Sequence, residues 1–201
     1  MGLFTLRSKF AVIVAVLSLA GTLMFFDACW KSARAFTLCA LSAVLFGCAA
    51  DNKPSGTPSF YRSMAEEGAQ LDAAAAASMI SGYRSNNGLG AVTLDPELMR
   101  LAESQAQAMA AKNKVEHNIG GPLGERVKRS GFDAKSAAEN ISAGYNTLAE
   151  AFSGWRDSPP HRANMLSRQA TRMGIAAVYA PGSKYKVFWA LILAAPDERR
   201  G

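Results

Sequence analysis

The chain has 201 residues, of which 49 % are hydrophobic and 19 % are charged, with a formal net charge of +6 at pH 7. This composition supports a buried core and excludes disorder over most of the chain. It also argues against nucleic-acid binding, because the densest basic cluster, Arg126, Lys128 and Arg129, is short and is interpreted as the solvated face of one helix.

The N-terminal region has the pattern of an export signal, and the pattern occurs twice. Apolar runs cover residues 10–26 and 35–46, and each run follows two basic residues. The first run is shorter than the ~20 apolar residues that usually span a bilayer. Two interpretations stay open: a single signal starting at Met24, with residues 1–23 an over-extended start, or a membrane anchor followed by a second apolar segment.

The second apolar run ends in Leu45-Phe46-Gly47-Cys48, which resembles a bacterial lipobox. The resemblance implies that Cys48 is lipidated and becomes the mature N-terminus. Residues 1–48 are therefore predicted to be an export and lipoprotein signal region. The mature protein is expected in the cell envelope as a membrane-anchored lipoprotein that faces the periplasm or the exterior.

The rest of the chain divides into a linker, one domain and a short tail. Residues 49–70 contain prolines and glycines and lack apolar periodicity, so they are predicted to be a tether. The domain is predicted over residues 71–196 and the tail over residues 197–201. All three cysteines precede the domain, which therefore has no internal disulfide.

Four helices are predicted in the first part of this domain. An alanine-rich stretch, the pair Asp95-Pro96 at a helix start, a short basic segment and a stretch with Phe152 and Trp155 at helical spacing all favour helix. Trp155, Phe152 and Trp189 are interpreted as core residues. The predicted helical ranges are residues 70–84, 96–114, 123–130 and 147–156, and the prolines after residue 158 predict a turn.

The pattern then changes to β-structure. Residues 172–180 and 184–194 are rich in apolar and β-branched side chains and flank Pro181-Gly182-Ser183, which predicts a hairpin. A third strand is predicted at 139–145. Helices followed by a hairpin, without β-α-β alternation, predict the α+β class with an antiparallel sheet.

Three segments together resemble the CAP superfamily, the cysteine-rich secretory, antigen 5 and pathogenesis-related group, in its short bacterial form. Residues 154–166 (GWRDSPPHRANML) are close to the signature GW..S..HR.N.L, and residues 138–141 (AENI) match the element [GA]EN[IL]. His117 precedes Glu125 by eight residues, as the family pattern requires. The resemblance covers about residues 71–196.

The resemblance implies a CAP-type α-β-α sandwich with a central antiparallel sheet. It also implies a binding cleft lined by His117, Glu125, Glu139 and His161. Many members carry a Tyr-Trp-Thr-Gln type of strand where this chain has residues 187–191 (VFWAL). That wall of the cleft is therefore expected to be more apolar.

The chemistry of these four residues leaves several functions open. His117 and His161 are expected to bind Zn²⁺ weakly and exchangeably, with the carboxylates orienting the imidazoles. Without metal, the four side chains form a hydrogen-bonded cluster. Glu125 and Glu139 are candidate general bases if the protein is an enzyme, although no catalytic residue is assigned. By itself, Glu125 on a basic helix would be solvated.

The leading hypothesis is a membrane-tethered binding domain whose cleft takes a small ligand, a lipid or an envelope component. The first alternative is a metal-dependent hydrolase that acts on cell-envelope substrates. The second is a structural or interaction module at the cell surface. The expected partners are such a ligand and the membrane, reached through the N-terminal anchor, and no nucleic acid.

Overall fold

The structure, a computed structural model, describes residues 56–197. The predicted signal region 1–48, the alternative start at Met24, the lipidation at Cys48 and the last four residues lie outside the described residues. Within the described part, no helix combines the length and the apolar character needed to cross a membrane.

The described residues form five α-helices and four strands after a short 3-10 helix, Ser59–Tyr61. The helices are α1 (Ala73–Ser85), α2 (Pro96–Lys112), α3 (Leu123–Ser130), α4 (Leu148–Asp157) and α5 (Pro159–Met165). The strands are β1 (Thr93–Leu94), β2 (Ala134–Ala143), β3 (Arg172–Ala180) and β4 (Lys186–Pro196).

Helix α5 differs from the prediction, which placed only a turn after residue 158. Pro159 and Pro160 occupy the first positions of this helix. Proline is well tolerated there, because the first amide groups of a helix have no acceptor within it. Ser158 stands at the N-cap position of α5, but its side chain makes no capping hydrogen bond.

The four strands form one sheet in the order β1-β3-β4-β2. The strand β4 runs antiparallel to both β2 and β3, as predicted for the long strands. The sheet also contains a short parallel pair that the sequence did not indicate, between β1 and β3. Because β2 lies at one edge of the sheet, no strand covers its outer side.

The alternation of side chains along β4 divides the interior into two cores. Odd-numbered residues 187–193 pack with α1, α4 and α5 in the first core. Even-numbered residues 188–194 pack with α2 and α3 in the second core. Helices therefore cover both faces of the sheet, which confirms the predicted α+β class and the α-β-α sandwich.

The stretch 187–191 lies entirely in these two cores. Each of its five residues has 0 % relative exposure. These residues therefore expose no side chain to a cleft, whereas the sequence led us to expect that they would form an apolar wall of it. The predicted burial of Trp155 and Trp189 is confirmed, at 1 % and 0 % exposure, and Phe152 is partly buried against the first core.

Helix α2 approaches the sheet closely at Gly174. A Cβ atom added to this glycine would lie 2.1 Å from the backbone carbon and oxygen of Leu98. Only glycine therefore allows this contact between β3 and the first turn of α2. The same turn is capped by Asp95, whose side chain accepts hydrogen bonds from the amides of Glu97 and Leu98, as predicted.

The structured unit begins earlier than the predicted domain. Phe60 packs against the first core, and Met64 is part of it at 6 % exposure. The Met64 amide also donates a hydrogen bond of 2.7 Å to the backbone oxygen of Asn146. The end of the predicted tether is therefore part of the domain, because its two large apolar side chains find a place in the core.

Arg84, which the sequence analysis did not single out, holds α1 to the segment after α5. The residue is 1 % exposed, and its guanidinium donates hydrogen bonds of 2.8 to 2.9 Å to four backbone oxygens. These oxygens belong to Gly90, Met165, Ser167 and Ala170. The arginine thus fixes the C-terminal end of α5, the helix that carries His161.

Candidate functional site

The first part of the site joins a loop histidine to a buried carboxylate. His117 follows α2, and its side chain is 54 % exposed. Its Nδ1 atom lies 2.8 Å from Oε1 of Glu139 on β2, whose side chain is 2 % exposed. An ionised carboxylate only accepts hydrogen bonds, so the proton lies on Nδ1. In the neutral imidazole, Nε2 then keeps a lone pair for a ligand.

Arg126 on α3 completes this pairing from the opposite side. Its Nη2 atom donates to Oε2 of Glu139 at 2.8 Å and to the backbone oxygen of His117 at 3.0 Å. Its Nε atom donates to the backbone oxygen of Gly121 at 3.0 Å. One side chain thus fixes both the carboxylate and the loop that carries the histidine.

The interpretation of Arg126 as part of a solvated face is therefore wrong. Arg126 is 6 % exposed, whereas Lys128 and Arg129 are exposed as expected. A signal for burial was present in the sequence. Arg126 lies three residues after Leu123 and next to Val127, which places it in the apolar stripe of α3.

The second part of the site lies on α5, across the edge strand. His161 is half-buried on this helix, and Nδ2 of Asn140 donates to its backbone oxygen at 2.9 Å. Asn164 donates to the backbone oxygen of Glu139 at 3.1 Å and to Oδ1 of Asn140 at 2.9 Å. The two asparagines thus tie α5 to the edge strand β2.

The two imidazoles are close enough to influence each other. Burial lowers the pKa of His161, and the charge of His117 lowers that pKa further. The structure thus places His117 in direct contact with Glu139, and it places His161 on α5 beside the same edge strand, β2. Because neighbouring residues of a strand point to opposite faces, Glu139 meets the α3 side and Asn140 holds α5 on the other side.

Glu125 takes a different position from the other three residues. It lies in the first turn of α3 and is exposed. Its Oε2 atom is near Gly121, 3.5 Å from the place a Cβ would occupy there. Within the described range, no hydrogen bond joins it to His117, Glu139 or His161. Glu125 therefore borders the site rather than supporting either histidine.

The two histidines are the imidazole donors that this site offers to a metal ion. Residues 56–197 contain no group of three or more His, Cys, Asp or Glu side chains placed to hold a metal ion. Two imidazoles remain as metal donors, and the Nδ1–H of His117 is oriented by a carboxylate in the way that favours coordination through Nε2.

The lowered pKa of His161 predicts a pH-dependent stability. Between the pKa of the folded protein and the higher pKa of the unfolded chain, the unfolded state binds more protons, so stability falls as the pH falls through this window. We expect wild type to lose more stability than His161→Gln between about pH 7.5 and about pH 5.5, a range that spans histidine titration. Urea unfolding at the two pH values measures this difference, and an equal loss in both proteins would contradict the prediction.

The model of the CAP, or cysteine-rich secretory protein, family matches residues 77–193. The chain belongs to this family. The match includes all four residues of the predicted cleft.

Three relatives illustrate the similarity of this CAP domain. It is 33 % identical over 98 residues to the uncharacterised protein YkwD of Bacillus subtilis, a match over 47 % of this chain and 38 % of YkwD. An extracellular protein with an SCP domain from Bacillus anthracis has 25 % identity and a TM-score of 0.54, over 61 % of this chain and 39 % of that one. An outer surface protein of Borrelia burgdorferi has 16 % identity and a TM-score of 0.56, over 63 % of this chain and 93 % of that one.

The chain thus spans less than two fifths of the length of its two Bacillus relatives. The likeness to the Borrelia protein shows the shared fold. Taken together, the family match and the structural neighbours support the CAP-type sandwich that the two cores show.

Proposed function

We propose that this CAP-domain protein acts outside the cytoplasm, tethered to a membrane by its N-terminal region. Its cleft between His117 and His161 binds a small ligand, a lipid or an envelope component. The observation that carries the proposal is the buried Arg126–Glu139 pair, which orients an exposed imidazole beside a second one. An arrangement fixed before a ligand arrives binds without a large cost of ordering.

The proposed location has two supports. The N-terminal region has the pattern of an export signal, and the Bacillus anthracis relative is an extracellular protein.

A divalent metal is the simplest probe of this cleft. We expect Zn²⁺ to bind weakly and in a one-to-one ratio, through Nε2 of His117 and through His161. Binding should fade below about pH 6, because an imidazole must be neutral to coordinate. Calorimetric titration of the full chain measures both the affinity and the ratio.

Variants of the two carboxylates and of the two histidines test which residues take part in Zn²⁺ binding. Glu139→Gln should weaken Zn²⁺ binding by about ten-fold to a hundred-fold, because the Glu139 carboxylate accepts the hydrogen bond from Nδ1–H of His117 and so orients the imidazole. Glu125→Gln is the matched control and should bind as wild type does. Replacing either histidine with alanine should remove most of the affinity. Undiminished binding by the two histidine variants would refute a shared site.

The geometry favours binding over hydrolysis at this site. Both oxygens of Glu139 already accept hydrogen bonds, one from Arg126 and one from His117. A general base must also reach the water that it activates, and the Glu139 side chain is only 2 % exposed. Glu125 is the other candidate base, and it lies away from the hydrogen-bonded network. A metal-dependent hydrolase that acts on envelope substrates is therefore the second candidate.

The membrane tether has a separate test at Cys48. The sequence Leu45-Phe46-Gly47-Cys48 supports lipidation of this cysteine. We expect wild type to incorporate labelled palmitate in cells and Cys48→Ser to incorporate none. Cys39→Ser, which changes a cysteine in the same apolar run, is the matched control and should label as wild type does. Equal labelling of all three proteins would refute attachment at Cys48.

A further inference from the structure

A cavity lies between α2 and α3, on the side of the second core. Its volume is about 810 Å³. One face of α2 lines it, including Ser104 and Gln105, and α3 contributes Arg126 and Arg129. None of the four predicted cleft residues lines this cavity. It is therefore a place distinct from the histidine site.

The charged side chains that line this cavity are all cationic. They are Arg100, Lys112, Arg126 and Arg129, and no aspartate or glutamate is among the described lining residues. Arg100 pairs with Glu97 at 3.2 Å, and Arg126 pairs with Glu139. Lys112 and Arg129 add positive charge at the two sides of the opening, on α2 and on α3. Such a concave cationic surface attracts anions.

Two buried polar atoms in the lining residues lack a partner among the described residues. They are Oε1 of Gln105 and Nη1 of Arg126. The two residues are 2 % and 6 % exposed. A buried polar group without a partner costs stability, so native proteins seldom leave one unexplained. The two atoms need different partners. The guanidinium nitrogen of Arg126 donates and needs an acceptor, whereas the amide oxygen of Gln105 accepts and needs a donor.

We propose that this cavity binds a small phosphate monoester that carries a hydroxyl group. The phosphate oxygens accept hydrogen bonds from Nη1 of Arg126 and interact with Lys112 and Arg129. The hydroxyl donates to Oε1 of Gln105. Phosphate suits the site better than a carboxylate, because a phosphate monoester carries up to two negative charges and three acceptor oxygens for the cations that line the cavity.

The proposal does not depend on the function of the histidine cleft, although Arg126 touches both places. Its Nη2 and Nε atoms donate to Glu139, His117 and Gly121, whereas Nη1 has no partner among the described residues. Loss of Zn²⁺ binding in the cleft variants would therefore leave the cavity proposal standing. Loss of phosphate binding would equally leave the cleft proposal standing.

Calorimetric titration of the full chain, held in a nonionic detergent, tests the ligand class. The probes are glycerol 3-phosphate, ethyl phosphate and glycerol. We expect one binding site for glycerol 3-phosphate and no measurable binding of glycerol. Ethyl phosphate lacks the free hydroxyl, so it should bind about ten-fold more weakly, as the loss of one hydrogen bond to a buried group predicts.

Charge variants test the position of the site. Lys112→Gln combined with Arg129→Gln should weaken glycerol 3-phosphate binding by at least about ten-fold, since each removes a charge-assisted contact. Lys128→Gln combined with Lys135→Gln changes the net charge equally, at exposed residues that do not line the cavity, and should have little effect. Equal weakening by the two double variants would overturn the proposal, because it would show only a long-range effect of charge.

A pair of variants at Ser104 controls for folding. Ser104 lines the cavity and is exposed. Ser104→Asp should abolish binding, because it places a negative charge in the cavity. Ser104→Asn introduces a side chain of the same size as aspartate but without the charge, and it should preserve binding. Three results would overturn the proposal: wild type that gives no binding at millimolar probe, equal affinity for the two phosphates, or unchanged binding by Ser104→Asp.

Discussion

Arg126→Met is expected to destabilise the domain by about 3 to 5 kcal/mol, because it leaves the Glu139 carboxylate buried without its ion-pair partner. Both side chains of this pair are almost fully buried, at 6 % and 2 % exposure, and their atoms are 2.8 Å apart. The variant also removes the donors to the backbone oxygens of His117 and Gly121. Urea unfolding at neutral pH measures the loss.

Two further variants separate this effect from a general loss of charge on α3. Lys128→Met alters an exposed residue of the same helix and should change stability by no more than about 0.5 kcal/mol. Adding Glu139→Gln to Arg126→Met neutralises the stranded carboxylate and should restore part of the loss, because the two residues act as one unit. If Arg126→Met were as mild as Lys128→Met, the buried pair would not contribute to stability as proposed.

Trp155→Ala is expected to cost about 3 to 5 kcal/mol, the range for removing a large aromatic side chain from a core. Trp155 is 1 % exposed and lies on the face of α4 that packs into the first core with Leu148 and Ala151. The loss should appear as a lower midpoint of thermal unfolding and a smaller free energy of unfolding in urea.

Trp155→Phe is the matched variant for this position. It keeps an aromatic ring in the core and removes Nε1, which has no hydrogen-bond partner among the described residues. The loss should therefore be small, below about 1.5 kcal/mol, as for other conservative changes in a core. A near-neutral result for Trp155→Ala would mean that the ring is exposed, as in a platform for a ligand.

Local signals in the sequence determined much of the fold. Asp95-Pro96 set the start of α2, and the hairpin of β3 and β4 follows from two apolar runs around Pro181-Gly182-Ser183. Such elements are predictable because caps, turns and apolar periodicity depend on residues that are close in the chain. The missed helix α5 shows the limit of these signals, since two prolines that end one helix can also start the next.

The sequence predicted which residues belong to the candidate site, but it did not predict how they are held. The residues His117, Glu139 and His161 came from family motifs. Their relation to Arg126 depended on the packing of α3 against β2. Helical charges face water by default, and the position of Arg126 in the apolar stripe was the one local hint of burial.

The sequence by itself therefore determined the class of the fold, most of the helices and strands, and the residues of the predicted cleft. Only the tertiary structure decided that Glu139 forms an ion pair with Arg126 and that Glu125 makes no hydrogen bond to the two histidines within the described residues. It also decided that Arg84 fixes the end of α5. The physical reason is distance along the chain. Arg84 binds oxygens more than eighty residues away, and such contacts form only when the two cores bring separate elements together.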